Sequence, residues 1–239
     1  MTRPVFFGRL RKDFRKLGSR GQARLSARFF KTAPGQYGYG DVFLGISVPA
    51  VRGFAGKCGH LSGREILTLL RSPLHEERLL ALIIWTGRFS KSSAAGQKEI
   101  FTLYLKNVRR VNNWDLVDAS APAIAGGYLL SRKKNVLFRL ARAASLWERR
   151  IAIVSTLTFI RSGRFKETFQ IARLLFSDAE DLIHKAVGWM LRETVKKDGT
   201  AGRRFLNQHA HRMPRTSLRY AIERFSEAER KRYLGMKQT

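Results

Sequence analysis

Two side chains near the middle of the chain have the types and the spacing to act together on a cationic group. Trp114 and Asp118 lie four residues apart in the segment Asn113-Trp114-Asp115-Leu116-Val117-Asp118. On a helix, residues i and i+4 share a face, so the indole and the carboxylate would project together. An indole face attracts cations, and a carboxylate stabilises positive charge that develops beside it. A structural explanation is equally open at this point: Asp115 caps a helix and Asp118 pairs with a neighbouring arginine.

Two further residues occupy comparable places in a repeated pattern that is described below. Arg150 is the second residue of its repeat motif, and Trp189 lies five residues after His184, which opens another. A buried tryptophan is ordinarily a packing residue, so Trp189 is a candidate site residue only in combination with Trp114 and Asp118. Trp85 lies in the apolar run Leu-Leu-Ala-Leu-Ile-Ile-Trp and is predicted to be core.

Other kinds of site lack the residues that they need. Cys58-x-His60 and His209-x-His211 each offer two potential ligands with no third nearby, so we expect no metal site. The chain has no Gly-x-Ser-x-Gly, no P-loop and no deaminase motif. We interpret the basic run at 132–134 as phosphate contacts or solvated surface rather than as a Schiff-base lysine. We therefore expect a site with neither metal nor cofactor.

The elements that position these residues are predicted to be helices. Four Ser-x-x-Glu segments are typical of capping boxes, which satisfy free amides at a helix start. They begin at Ser62, Ser145, Ser177 and Ser226. Apolar residues follow each at helical spacing, and no segment shows the sustained alternation of a strand. The sequence therefore predicts an all-α chain.

A repeat of about 35 residues organises these helices. Four short motifs, each a polar pair or near-pair followed by small or aliphatic residues, begin at Arg78, Arg149, His184 and Arg219. Their separations are 71, 35 and 35 residues, so a further unit is expected near 113 or 114. Two helices per unit at this period are typical of a HEAT-like α-solenoid. We expect one domain over 1–239, with a helical cap and a Gly/Tyr loop over 1–40 and repeats over 41–239.

The charge of the chain is extreme and is spread along its length. The 239 residues include 46 Lys and Arg against 18 Asp and Glu, which gives a net charge of +28. Residues 1–40, 131–166 and 200–239 carry ten basic residues each. Stacked repeats would align the basic starts of their second helices, including Arg149 and Lys185, along one concave face. Such a face suits a phosphate backbone, with binding that depends steeply on salt.

The composition excludes several other classes of protein. A hydrophobic content of 44% argues against a disordered basic tail. The single cysteine, Cys58, excludes an internal disulfide and a cysteine-based cluster. No apolar run approaches the ~20 residues that span a bilayer, and the start lacks the apolar region of a signal peptide. We expect an intracellular, cytoplasmic protein that associates with nucleic acid.

Three blocks and one loop of the sequence resemble the AlkD-type DNA alkylation repair glycosylases. The blocks are residues 113–118, Trp-Glu-Arg-Arg-Ile-Ala at 147–152, and His-Lys-Ala-Val-Gly-Trp-Met-Leu-Arg-Glu at 184–193. The loop is Tyr-Gly-Tyr-Gly-Asp-Val-Phe-Leu-Gly-Ile at 37–46. The tryptophan–aspartate block and the Gly-Trp block are specific when they occur together, and the similarity runs from about residue 20 to residue 225.

The resemblance implies HEAT-like repeats around double-stranded DNA and excision of N3- or N7-alkylated purines. Asp118 would correspond to the catalytic aspartate of the family, with Trp114 and Trp189 flanking the sugar of the lesion. Arg150 would grip the DNA backbone beside it, and Arg192 would support the site. We expect a monomer that releases the free base and leaves an abasic site.

One departure from the family pattern and one alternative function stand beside this interpretation. Phe29 replaces a tyrosine that some members carry, so a hydroxyl contact to DNA would be lost there. Some solenoids of this kind bind DNA without excising a base, and the alternative is a non-catalytic protein that recognises damaged or branched duplex. Retention of Asp118 and of both tryptophans favours the enzyme. A scaffold for protein partners is disfavoured by the net charge of +28.

Overall fold

The computed structural model describes residues 3–236, and its regular elements are helices. The prediction of an all-α chain is confirmed: within that range, turns join the helices and extended pairing is limited to an isolated bridge between Val42 and Leu74. The chain divides into two compact units, Met1–Ser120 and Ala121–Thr239. The single domain expected over 1–239 stays a prediction, and its first two and last three residues lie outside the described part.

Unit 1 is built from helices that cover α5, the most buried helix of this half. Its helices are α1 (Arg3–Arg15), α2 (Arg20–Phe29), α3 (Val48–Ala55), α4 (Gly63–Leu70), α5 (His75–Phe89), α6 (Ala94–Lys106) and α7 (Trp114–Ala121). Helix α5 packs against α3, α4 and α6. Trp85 is 2% exposed, which confirms its prediction as a core residue. A core on this scale stabilises the unit because each large apolar side chain removed from water contributes about 1.5–3 kcal/mol.

Unit 2 repeats the same construction around α10 and α12. It opens with a π-helical turn, Pro122–Gly126, and continues with α8 (Gly127–Leu129), α9 (Asn135–Leu140), α10 (Leu146–Arg161), α11 (Lys166–Leu174), α12 (Asp181–Lys197), α13 (Gly199–His209), α14 (Arg215–Ala221) and α15 (Glu227–Leu234). Helix α10 packs against α9, α11 and α12, and α12 packs against α13 and α14. Neighbouring helix pairs thus share faces, as expected of HEAT-like repeats.

The predicted period of the repeat is confirmed, although one register was wrong. The second helices of the units, α5, α7, α10, α12 and α14, begin at residues 75, 114, 146, 181 and 215, which are 39, 32, 35 and 34 residues apart. Arg149 and His184 are each the fourth residue of their helix. The equivalent residue of α7 is Val117 rather than a residue near 113, because α7 begins 39 residues after the start of α5 instead of about 35.

The corrected register changes which residue of α7 replaces the basic one. The fifth residue of α10 is Arg150, and the fifth residue of α12 is Lys185. In α7 the fifth residue is Asp118. The fifth residue of α14 is Arg219, so an acid stands in α7 at the position where three other repeats carry a base.

Two of the four predicted capping boxes are present. Ser62 and Ser226 each accept the backbone N–H of the glutamate three residues later, whose carboxylate accepts the N–H of the serine. Ser145 precedes α10 but its hydroxyl accepts no capping hydrogen bond. Ser177 was wrong as a cap, because α12 begins only at Asp181.

Two glycines permit close backbone approach, one in the loop at 37–46 and one in the block at 184–193. Gly45 has φ of +76°, a region that favours glycine, and a Cβ there would collide with the carbonyl oxygen of Ser19. On α12, a Cβ at Gly188 would lie 2.5 Å from both Ser217 O and Tyr220 Cβ. The glycine before Trp189 is thus required by the contact between α12 and α14.

Within residues 3–236, no helix combines the length and the apolar composition needed to cross a membrane. The same residues contain no group of three or more His, Cys, Asp or Glu side chains arranged to hold a metal ion.

Candidate active site

The predicted indole–carboxylate pair lies at the start of α7. Trp114 is the first residue of that helix and Asp118 the fifth, so the two side chains share a face, and both are partly buried. Phe30 stacks on the indole of Trp114, with ring centroids 5.2 Å apart and planes 20° apart. Phe29 meets the same indole edge-on at 5.9 Å. Phe29 is 66% exposed, so its ring is largely open to solvent.

A buried tyrosine lies close to Asp118. Tyr104 has no exposed surface, and its hydroxyl group lies 3.1 Å from the hydroxyl of Ser120. Burial raises the pKa of Tyr104, and the negative charge of Asp118 raises it further. Tyr104 is therefore neutral at physiological pH, and it supports α7 from inside the unit through Ser120.

A charged network holds the residues around Trp114. His75, the first residue of α5, is 2% exposed and is placed between two carboxylates. Its Nδ1 lies 2.9 Å from Asp41 Oδ2, and its Nε2 lies 2.8 Å from Asp115 Oδ2. The other oxygen of Asp41 accepts a hydrogen bond from Arg78. Asn113 Nδ2 donates to Asp41 Oδ2 over 3.0 Å.

The two carboxylates keep His75 protonated. Burial alone would lower the pKa of His75, but the hydrogen bonds and negative charges of Asp115 and Asp41 outweigh it and raise the pKa to about 9. Burial opposes ionisation of Asp41 as well, yet its bond with His75 and the charge of Arg78 lower its pKa. The network is thus made of paired ions at neutral pH.

The two glutamates that follow His75 bind the loop at 37–46 and helix α1 to α5. Glu76 accepts the backbone N–H groups of Leu44, Gly45 and Ile46, at 2.8, 2.8 and 3.2 Å. Glu77 has no exposed surface and accepts hydrogen bonds from Arg11 and Arg15 of α1. The bonds of Glu76 hold the loop at 37–46, which also carries Asp41. The loop that resembles the family therefore supplies a member of the network.

Sequence reasoning missed Asp41 and His75. A usable signal was present: His-Glu-Glu-Arg at 75–78 places two adjacent acids at a helix start in a chain with only 18 acidic residues. Such acids require partners, and the basic residues of α1 and the amides of the loop supply them. Asp115, the helix cap of the structural explanation, is the second residue of α7, and its Oδ1 accepts the N–H of the adjacent Leu116 over 2.8 Å.

Arg149 and Arg150 lie side by side near the start of α10 in unit 2. Arg150 is 5% exposed and its Nη1 donates to the carbonyl oxygen of Leu182, 2.6 Å away on α12. Arg149 donates to both carboxylate oxygens of Asp178, at 2.5 and 3.2 Å, and to two backbone carbonyls. Both guanidinium groups therefore have fixed orientations.

Helix α12 carries the other predicted residues of unit 2. Trp189 is partly buried beside Gly188 and lies one turn after Lys185. Lys185 forms an ion pair of 2.8 Å with Asp181, one turn earlier, which lowers the pKa of Asp181. Arg192 forms an ion pair with Glu223, which lies just beyond α14. Within unit 2 the bond from Arg150 to Leu182 thus joins α10 to the helix that carries Trp189.

The paired helices define a helical-repeat protein, and its composition is strongly basic. Comparison with known families shows to which family of such proteins the chain belongs. The profile of the DNA alkylation repair enzyme family matches residues 10–225. The chain belongs to this family. Membership gives it a role in the repair of alkylated DNA, with DNA as the substrate.

Solved structures agree on the fold. A predicted DNA alkylation repair enzyme from Enterococcus faecalis matches with a TM-score of 0.69 and 15% identity, over 88% of this chain and 97% of that one. The crystal structure of smu.31 from Streptococcus mutans UA159 matches with a TM-score of 0.51 and 19% identity, over 93% and 98%. Curated protein sequences gave no match.

Proposed function

We propose that the protein is a monofunctional DNA glycosylase that hydrolyses the N-glycosidic bond of N3- or N7-alkylated purines in double-stranded DNA. The observation that carries this proposal is the placement of Trp114 and Asp118 on one face of α7. In α10 and α12 the position of Asp118 is basic. A carboxylate there weakens attraction to phosphate, so a helix that only bound DNA would favour a base. The acid supports a chemical role.

The reaction breaks the bond between the deoxyribose C1′ and a purine nitrogen. Alkylation at N3 or N7 puts a formal positive charge on the purine, so the base leaves as a neutral molecule with the bonding electron pair. The sugar is left with oxocarbenium character, as in other glycoside hydrolyses. Asp118 would stabilise this cation and orient the water whose oxygen bonds to C1′. A proton from that water passes to Asp118 or to solvent, and an abasic site remains.

The tryptophans and arginines have supporting roles in this proposal. Trp114 and Trp189 would flank the sugar of the lesion, where an indole face attracts a cation by roughly 0.5–2 kcal/mol. Arg150, with its guanidinium held by Leu182, would contact the phosphate beside the lesion. Further DNA contacts are proposed for Phe29, Lys185, Arg192 and Arg149, the last of which would have to exchange Asp178 for a phosphate. We propose that one copy of the chain suffices.

Product analysis tests this proposal. The protein is incubated with duplex DNA methylated at guanine N7, and the soluble fraction is analysed for free 7-methylguanine. The expected result is release of the base, with strand breaks that appear only after alkaline treatment. Release of base together with strand cleavage before alkali would contradict the monofunctional assignment. Intact lesions after tests with both N3- and N7-alkylated purines would contradict glycosylase activity altogether.

A non-catalytic DNA-binding protein is the second candidate, and the net charge of +28 favours it independently of Asp118. It predicts salt-sensitive binding to duplex DNA with no release of any alkylated base. Preference for damaged or branched duplex over plain duplex at equal salt would add support to it.

A further inference from the structure

We propose that His75 is a positioning residue for the Trp114–Asp118 pair, because two separate sets of contacts join it to the start of α7. One set consists of hydrogen bonds and the other of stacked rings. The inference rests on the proposed glycosylase function for its kinetic consequence. Its structural content, that His75 sets the position of the indole of Trp114, is independent of that function.

The first set of contacts reaches the backbone at the start of α7. His75 Nε2 donates to Asp115 Oδ2, while Asp115 Oδ1 accepts the N–H of Leu116 over 2.8 Å. Through Asp41, His75 also reaches Asn113, whose Oδ1 accepts the N–H of Trp114 over 2.8 Å. The first amides of α7 are therefore held by side chains that His75 and Asp41 hold in turn. Free amides at a helix start need such partners.

The second set of contacts reaches the indole itself. The ring of His75 stacks on Phe43, with centroids 4.4 Å apart and planes 24° apart. Phe43 stacks on Phe30 at 4.9 Å, and Phe30 stacks on Trp114 at 5.2 Å. A protonated imidazole is a cation, so its contact with an aromatic face is attractive. The ring of Phe30 also lies 5.2 Å from that of His75, so this one aromatic ring contacts both the imidazole and the indole.

The charges around His75 leave it well compensated. Asp41 faces it from the loop and Asp115 from α7, and Arg78 of α5 neutralises the far side of Asp41. The nearby acids of α5 are already engaged, Glu76 by loop amides and Glu77 by Arg11 and Arg15 of α1. His75 is therefore the cation that joins the two carboxylates. A neutral side chain at this position could still hydrogen-bond to both carboxylates, but it would form no ion pair with either.

The network also separates the two aspartates of α7. Asp115 bonds to His75 and to the N–H of Leu116 in its own helix, so its carboxylate is turned toward α5. Without His75 the unpaired charge of Asp115 would be left in a partly buried place, and the first turn of α7 would have to move. A misplacement of about 1 Å in a catalytic group can cost on the order of 100-fold in rate.

Fluorine NMR tests the positioning without reference to activity. The chain contains four tryptophans, so labelling with 5-fluorotryptophan gives four signals, and Trp114→Phe and Trp189→Phe assign two of them. His75→Gln is expected to shift and broaden the Trp114 signal while the Trp189 signal stays in place. The control is His60→Gln, an exposed histidine of unit 1 that packs on Phe6. An unchanged Trp114 signal in folded His75→Gln would overturn the proposal.

A second variant keeps the test decisive if His75→Gln does not fold. Asp115→Asn preserves the shape of the side chain but removes the charge that His75 bonds. It is expected to disturb the Trp114 signal in the same way, and a signal identical to wild type would overturn the proposal as firmly. Circular dichroism of each variant establishes that the helices are intact.

Kinetics then tests the consequence for function. Under single-turnover conditions, His75→Gln is expected to lower the rate of 7-methylguanine release by about 100-fold while the Kd for duplex DNA changes little. A rate within about twofold of wild type would overturn the positioning role. If the wild type releases no base, the glycosylase proposal fails. The proposal that His75 positions Trp114 is then tested by the fluorine signal of Trp114 alone.

Discussion

At the scale of single residues, the two aspartates of α7 have different environments although they lie on the same short helix. Asp115 bonds to His75 and to the N–H of Leu116. Asp118 lies at the position of the basic residues of α10 and α12, close to the buried hydroxyl of Tyr104. The i,i+4 spacing made the pair with Trp114 predictable from sequence. The partners of His75 were not, because Asp41 and Asp115 lie 34 and 40 residues away along the chain.

The raised pKa of His75 predicts a loss of stability at alkaline pH. The pKa is about 6.5 in the unfolded chain and about 9 in the folded one. Protonated His75 therefore contributes roughly 3 kcal/mol to the free energy of unfolding. This contribution is fully present below pH 6.5 and is lost as pH rises through 9. Urea unfolding of wild type and His75→Gln between these pH values measures it. The difference between their unfolding free energies should shrink as pH rises, and a constant difference would contradict the assignment.

At the scale of elements, local signals predicted helices well and their starts less well. The Ser-x-x-Glu pattern was right at Ser62 and Ser226, each of which directly precedes the first residue of a helix. It was wrong at Ser177, where Asp178 is engaged by Arg149 and α12 starts later. The spacing of 39 residues between the starts of α5 and α7 likewise shifted the register of one repeat. Tertiary bonds and connection lengths decide such boundaries, and a single sequence does not display them.

The two serines with different capping provide a matched pair of substitutions. Ser62→Ala removes a hydroxyl that accepts the N–H of Glu65 and is expected to lower the unfolding free energy by about 1 kcal/mol. Ser145→Ala removes a hydroxyl with no capping bond and should change it by less than about 0.5 kcal/mol. Urea denaturation at neutral pH measures both. Equal effects of the two substitutions would contradict the difference between these helix starts.

At the scale of the whole molecule, composition predicted the partner and periodicity predicted the repeats. A net charge of +28 favours a polyanionic partner, and the family assigns DNA as the substrate. The repeat period is legible because each helix pair buries the same apolar stripe against its neighbours. The individual DNA contacts do not follow from charge alone, since Arg149 and Arg192 are already paired with acids.

The charge predicts steep salt dependence of DNA binding. If six to ten phosphates are contacted, affinity for duplex DNA should fall by about 10³–10⁵ between 50 and 200 mM salt. Fluorescence anisotropy with an unmodified duplex measures this slope. Lys185→Gln should reduce the slope by roughly one unit if that side chain contacts a phosphate. A flat salt response would contradict binding through the DNA backbone.

The central claim, that Asp118 stabilises the sugar cation, is tested most directly by Asp118→Asn in single-turnover release of 7-methylguanine. Loss of one electrostatic contact to a transition state costs on the order of 100- to 1,000-fold, so the variant should be slower by about that factor. Its Kd for DNA should be unchanged or lower, because a negative charge is removed. Asp13→Asn, at a half-exposed aspartate of α1 that pairs with Lys16, is the matched control. Release by Asp118→Asn at the wild-type rate would contradict the account.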